Sequence, residues 1–177
     1  RDRYGCEGTE STLRFNNIYN NSKSGVYLIH PNYGVIEFNE IHHNQENGLF
    51  LDWGADIVVE GNNIYKNKMA GIQVSGGEMN FTGNYISENG KAGVNATCTW
   101  VMNFLYNEIT NNTGTGLLLR TYNSTVKYNH ITNNEIGLHL QWGNNTIVYL
   151  NNFYNNTSDL QCTSFFDLTN WNSTLLD

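Results

Sequence analysis

The sequence of 177 residues predicts an all-β fold, a parallel β-solenoid, and three observations carry that prediction. A unit Asn-x-Ile-x-x-Asn begins at Asn16, Asn39, Asn62, Asn84, Asn107 and Asn129, and returns at Asn151 with Phe153 in the Ile place, at intervals of 23, 23, 22, 23, 22 and 22 residues. Shortly after each unit, Gly25, Gly48, Gly71, Gly93, Gly116 and Gly137 each precede an alternating apolar pair, from Val26/Leu28 to Leu138/Leu140. Composition agrees: 31 Asn against 4 Ala is a chain rich in a turn former and poor in the best helix former.

The elements follow in order. Residues 1–14 break the pattern with Arg1, Asp2, Arg3 and Arg14, and read as an irregular or partial first coil because Asp2 falls at the glycine phase. Residues 15–164 supply about seven coils of 22–23 residues with three short parallel strands each. One strand centres on the Ile of the unit and one follows the glycine. The third is a looser apolar segment such as Val35-Ile36, Ile57-Val58-Val59 or Val101-Met102. Period-two alternation turns the glycine-following pairs inward. A leucine-rich repeat of similar period needs a helix or 3₁₀ segment in every unit, and stretches such as Ser22-Lys23-Ser24 are too short for one. A sandwich has no need of one motif at the same phase throughout. Coils stacked about 4.8 Å apart give a rod of roughly 34 Å. Like residues then lie above like, and the Asn columns can hydrogen-bond as amide ladders, which assigns them a structural role. Phe165, Phe166, Leu168, Trp171, Leu175 and Leu176 form an aperiodic apolar tail over residues 165–177, suited to cap the open sheet edge. The chain opens on Arg1 with no signal peptide, so it is expected to be a piece of a longer parent chain carrying other domains.

The succession Asn-x-Ile-x-x-Asn, then Gly-[Ile/Val/Leu]-x-Leu, resembles the parallel β-helix repeat of the pectate-lyase-like superfamily, particularly its NosD-like and archaeal or bacterial cell-surface members, over about residues 15–164. The resemblance implies a right-handed, three-sheet coil. It leaves function open, because relatives include lyases, hydrolases, epimerases and surface proteins. The pectate-lyase Arg signature, the polygalacturonase Gly-His-Gly and the epimerase Asp-Pro-His-Asp are all missing from the sequence.

A net charge of −7 argues against nucleic-acid partners, and no apolar stretch approaches the roughly 18 residues of a membrane-spanning helix. Of three cysteines, Cys98 and Cys162 lie three coils apart, beyond disulfide reach, and read as buried thiols, while Cys6 sits at the other end. Nine Asn-x-Ser/Thr sequons occur, several at turn positions from which a glycan can project, and Asn20, Asn80, Asn111, Asn123 and Asn144 are the glycosylation candidates. They favour an extracellular or cell-surface glycoprotein, with the periplasm as the other compartment.

In enzymes of the resembled superfamily the substrate lies across the outer face of the strand after the glycine. Here that face presents Tyr27, Phe50, Gln73 and Asn95 in one column, with Asp52, Arg120 and Gln141 in the next and Trp53 and Trp142 at its edge. Aromatic platforms beside planar polar groups suit sugar rings. Arg120 and His139 on adjacent coils are the candidate charge-neutralising cation and base of a uronate lyase, and Asp52 is a candidate carboxylate of a glycoside hydrolase. His42 and His43, consecutive on an extended segment, are expected to point to opposite sides, so no metal site and no cofactor are expected; calcium and copper find no support in the spacing. The leading expectation is a rigid scaffold that binds polysaccharide or a cell-surface glycan. A lyase or hydrolase segment is the alternative, and a subunit that stacks end to end is a further one.

Overall fold

The computed structural model describes residues 11–142 and 145–163, with the side chain of Cys98 excepted. The expectations for the cap at 165–177, the partial coil before residue 11, Asn144 and Cys6 therefore lie outside the described residues, as does the thiol of Cys98. Within them every strand pairing is parallel. Three faces wind round one axis. The ladder face runs from Asn17–Tyr19 through Glu40–His42, Asn63–Tyr65, Tyr85–Ser87, Glu108–Thr110 and His130–Thr132 to Asn152–Tyr154. The glycine face begins at Val26–Ile29 and ends at Ser158–Cys162, and the return face begins at Thr12–Arg14 and ends at Ile147–Tyr149. The seven strands of the ladder face enclose six turns, one fewer than the coil count expected. In two central coils the glycine and return strands fuse across their corner into Leu49–Glu60 and Ile72–Thr82, so three separate strands per coil is not universal.

Register follows the sequence period. Ile18, Ile41, Ile64, Ile86, Ile109, Ile131 and Phe153 pair in succession along the ladder face. The five central isoleucines of that column are wholly buried. Across the lumen, volume is exchanged between faces. Coils whose return strand brings Phe81 or Phe104, stacked at 4.8 Å, present Val74 or Ala96 from the glycine face, whereas Leu51, Leu119 and Leu140 accompany Val59, Val126 and Val148. The bulk per coil stays even, as close packing requires. Leu13, Ile18 and Leu28, at the first described coils, are only partly buried and line a cavity of about 690 Å³ with Val26, Ile36 and Ile57. Cys162 corrects its expectation. It takes its place below Leu140, but no described coil follows, and the thiol is exposed rather than buried, with its pKa raised by partial desolvation.

Two Asn ladders run the length of the rod, one at Asn16, Asn39, Asn62, Asn84, Asn107, Asn129 and Asn151, the other from Asn21 to Asn156. Each internal amide oxygen accepts both the backbone N–H and the side-chain N–H of the Asn one coil back, as Asn62 Oδ1 does from Asn39 at 2.9 and 3.0 Å. Each side-chain nitrogen also donates to a backbone carbonyl of the preceding coil, as Asn62 Nδ2 does to Ile36 at 2.8 Å. Every buried polar atom of these side chains thus has a partner, which is the condition for burying an amide.

The residue before every ladder Asn adopts the left-handed conformation. Phe15, Phe38, Gly61, Gly83, Tyr106, Tyr128 and Leu150 do so at one corner, and Asn20, His43, Lys66, Glu88, Asn111, Asn133 and Asn155 at the other. Asn and Gly shape six of these bends, and aromatic, charged and aliphatic residues shape the rest. The repeat glycines act by size instead. Gly71 has no positive φ, but a Cβ there meets Ile86 and the Gly93 carbonyl of the next coil at 2.7 and 2.8 Å. The ladder bonds hold the left-handed bends in place at roughly 1–2 kcal/mol per non-glycine residue. Glu88→Gly, at φ 53° on the exposed surface, is expected to stabilise the fold by about 0.5–1 kcal/mol, because its 3.6 Å pair with Lys66 contributes little. A lower urea midpoint for that variant would refute the strain assignment.

Coil-length differences are absorbed away from the ladder unit. Register shifts fall between Gly54 and Ile57 and between Thr97 and Thr99, both at the corner joining the glycine and return faces.

Candidate functional site

The outer surface of the glycine face is built by the alternation that sends Leu49, Leu51, Ile72 and Val74 inward. Tyr27, Phe50, Gln73, Asn95, Leu118, His139 and Gln161 pair in unbroken succession along its first outward column. Tyr27 and Phe50 stack at 4.8 Å with planes 20° apart. Below them the column turns polar. Gln73 donates its amide to the Val74 carbonyl, and the buried Oδ1 of Asn95 has no hydrogen-bond partner. Such an acceptor costs stability unless a donor reaches it.

The second column places Ile29, Asp52, Ser75, Thr97 and Arg120 in register. Asp52 and Arg120 are therefore three coils apart, about 14 Å along the axis. Arg120 and His139 do not face each other directly. Gln141 stands between them, its Oε1 accepting from Arg120 Nε and its Nε2 lying 3.2 Å from the ring nitrogens of His139. His139 is almost fully buried; desolvation first, and the Arg120 charge second, push its pKa down. With Gln141 Oε1 taken by Arg120, its Nε2 donates to the imidazole and occupies the lone pair a general base needs. The structure does not bring Arg120, His139 and Asp52 together as one catalytic set.

At the corner beyond this face lies a line of exposed aromatic residues. Trp53 and Trp142 both sit at left-handed bends, 53% and 73% exposed. Trp53 folds along the axis over Gly76, where a Cβ would approach its ring to 2.8 Å. Trp100 and Tyr122 join the line at 64% and 52% exposure, while Thr121, counted with it by phase, is buried. Sequence phase missed Trp100 because the shift after Thr97 brings Thr99 level with Thr121, and Trp100 follows one position beyond that column, as Tyr122 does. An exposed Trp beside the expected position was the only signal.

The sequons divide by environment. Asn20, Asn80, Asn111 and Asn123 are exposed, whereas Asn156 belongs to an amide ladder. On the ladder face, Tyr19, His42 and Tyr65 stack at 5.1 and 4.8 Å, and the His42 and His43 Nδ1 atoms lie 2.7 Å apart. The expectation that these two side chains diverge is overturned, because His43 is left-handed (φ 55°) and not extended.

A family model described as right handed beta helix region matches residues 3–99, and one described as periplasmic copper-binding protein (NosD) matches residues 74–176. The chain belongs to the NosD-like right-handed β-helix proteins. Neither a curated protein nor a solved structure matches it. This β-helix protein has an extracellular, cell-surface or periplasmic location, and among its described residues no helix is long and apolar enough to cross a membrane. The copper named in the NosD description was tested against the side chains. Among the described residues no three His, Cys, Asp or Glu converge on a point. Within residues 74–176, His130 lies on the ladder face and His139 on the glycine face. That segment of the β-helix protein does not assemble a multi-ligand copper centre from its described residues.

Proposed function

We propose that this β-helix protein is a rigid extracytoplasmic scaffold that binds polysaccharide along its glycine face. The observation that carries the reading is the set of exposed rings beyond the edge of the glycine face, Trp53, Trp100, Tyr122 and Trp142, beside the planar polar groups of that face. A sugar chain laid along the axis meets an apolar ring face at this edge and hydrogen-bonding groups at Asp52, Gln73, Asn95 and Gln141. The rod is held by ladders and stacked core, so the platform needs little ordering on binding. Exposed sequons at Asn20, Asn80, Asn111 and Asn123 are the positions for attached glycans on the same reading.

Affinity electrophoresis and a glycan array with neutral and acidic polysaccharides test it. The combined variant Trp53→Ala/Trp142→Ala is expected to weaken binding about 5- to 150-fold, from roughly 0.5–1.5 kcal/mol per ring. Both side chains are largely exposed, so the fold should survive. Unchanged retention, or no retention of any polysaccharide by the parent chain, would overturn the proposal.

A further inference from the structure

Two corners of the rod share one backbone conformation and carry opposite chemistry. Where the ladder face turns toward the glycine face, the left-handed positions are polar, from Asn20, His43 and Lys66 to Asn155. Where the return face meets the ladder face, they are Phe15, Phe38, Tyr106, Tyr128 and Leu150, with Gly61 and Gly83 between. The bend costs a non-glycine residue the same at either corner, so backbone conformation does not select the rings. Phe15, Phe38, Tyr106 and Leu150 are nevertheless exposed, and an apolar ridge of this kind marks an interaction surface.

The rings are packed in pairs. Phe15 and Phe38 stack at 5.6 Å with planes 9° apart, and Tyr106 and Tyr128 at 4.9 Å with planes 18° apart. Nearly parallel rings that close cover each other's faces and leave mostly edges outward. A sugar stacks on a ring face, so the ridge suits a second apolar surface instead. Charge identifies that surface. Counting coils by their first ladder Asn, the return-face column beside the ridge carries Glu37 and Glu60 in the second and third coils and Lys127 in the sixth. On the other flank Glu40 and His130 open the ladder strands of the second and sixth coils. A second copy turned end for end about the fourth coil brings Lys127 opposite Glu37 and His130 opposite Glu40, each contact made twice. A parallel two-fold would lay the return face of one rod beside the ladder face of the other and set Glu37 against Glu40. At the fourth coil the antiparallel axis makes the corner meet itself, and there Gly83 stands, with nothing within 4 Å of where a Cβ would lie.

We propose that this corner is the interface of an antiparallel homodimer, with Gly83 at the two-fold axis, Phe38 packed against Tyr128 of the second copy, and Lys127 paired with Glu37 of the second copy. Lys127 lies over the Tyr128 and Tyr149 rings at 4.3 and 4.7 Å, which holds its ammonium on the ridge. The glycine face is the side of the rod away from this corner, so both glycine faces stay open and the dimer is bivalent toward a polymer. The pairing does not rest on sugar binding and is measured without it.

Sedimentation equilibrium of the full chain, with no glycan present, is the test. The parent is expected to dimerise with a dissociation constant on the order of 10 μM, as suits a narrow interface. Phe38→Asn/Tyr128→Asn is expected to weaken dimerisation about tenfold or more. That variant folds, since Asn111, Asn133 and Asn155 hold the same bend at the other corner, and circular dichroism verifies it. Lys127→Glu and Glu37→Lys are each expected to weaken dimerisation alone and to dimerise when mixed, because only the mixed pair restores both opposite-charge contacts. A parent that stays monomeric at about 1 mM, a double Asn variant that dimerises as the parent does, or a mixture no more dimeric than its components would overturn the interface.

Discussion

Asn107→Asp is expected to destabilise the protein by about 3–5 kcal/mol. Asn107 is almost wholly buried, and its Oδ1 accepts the backbone and side-chain N–H groups of Asn84 at 3.0 and 2.9 Å. A carboxylate keeps those two bonds. Its second oxygen, however, replaces an amide nitrogen that donates to Phe81 O and to Asn129 Oδ1, both at 2.9 Å. Two attractive contacts become two acceptor–acceptor contacts, and a charge is stranded in the core. Burial disfavours the charged form, so the introduced carboxyl has a folded pKa above its unfolded value of about 3.9. The sign follows: the folded state binds the extra proton, so the variant regains stability as pH falls through the folded pKa and loses it as pH rises. Urea denaturation at pH 7 and pH 4 reads both effects. An undiminished midpoint at pH 7 would show that the ladder is tolerant of charge and not the rail assumed here.

Gly93→Ala is expected to cost about 3 kcal/mol, the upper end for overpacking, although it adds a single methyl. The new Cβ would lie 2.5 Å from Ile109 Cγ2, 2.7 Å from the Gly116 carbonyl and 2.9 Å from Asn112 Nδ2. All three belong to the next coil, and one is a ladder amide already bonded to Asn134. Relief requires moving backbone, since the carbonyl oxygen is not the end of a flexible chain. The same substitution at Gly83 meets nothing within 4 Å, though φ there is 61°. Comparing the two variants separates crowding from backbone conformation, and equal losses would contradict the steric account.

Much of the architecture could be read from residue order because a stacked fold repeats its environment. Once Asn39 and Asn62 fall 23 residues apart with Ile41 and Ile64 each two residues after, the register of every ladder strand is set, and the outward column from Tyr27 to Gln161 follows by alternation. Counting fails where the chain departs from extended backbone. Nothing in the identities of Phe38, Lys66 or Tyr106 announces a left-handed bend, since such residues disfavour it and the ladder imposes it. The same bend at His43 turns two expected diverging imidazoles into a converging pair. The slip after Thr97 brings Thr99 level with Thr121, and Trp100 lies one position beyond the column that the count from Gly93 followed. Arg120 and His139 were rightly placed on adjacent coils, but spacing along a chain carries no information about Gln141 lying between them.

The register shifts at the corner between the glycine and return faces make that corner a site of variability. Residues gained or lost between Gly54 and Ile57, or between Thr97 and Thr99, alter the local outline while the amides of Asn62, Asn84 and Asn107 keep their alignment. An insertion inside the Asn-x-Ile-x-x-Asn segment would throw both rails out of phase at once. Because Trp53 and Trp100 stand at that corner, the placement of these exposed rings can change without disturbing the amide spine that keeps the rod upright.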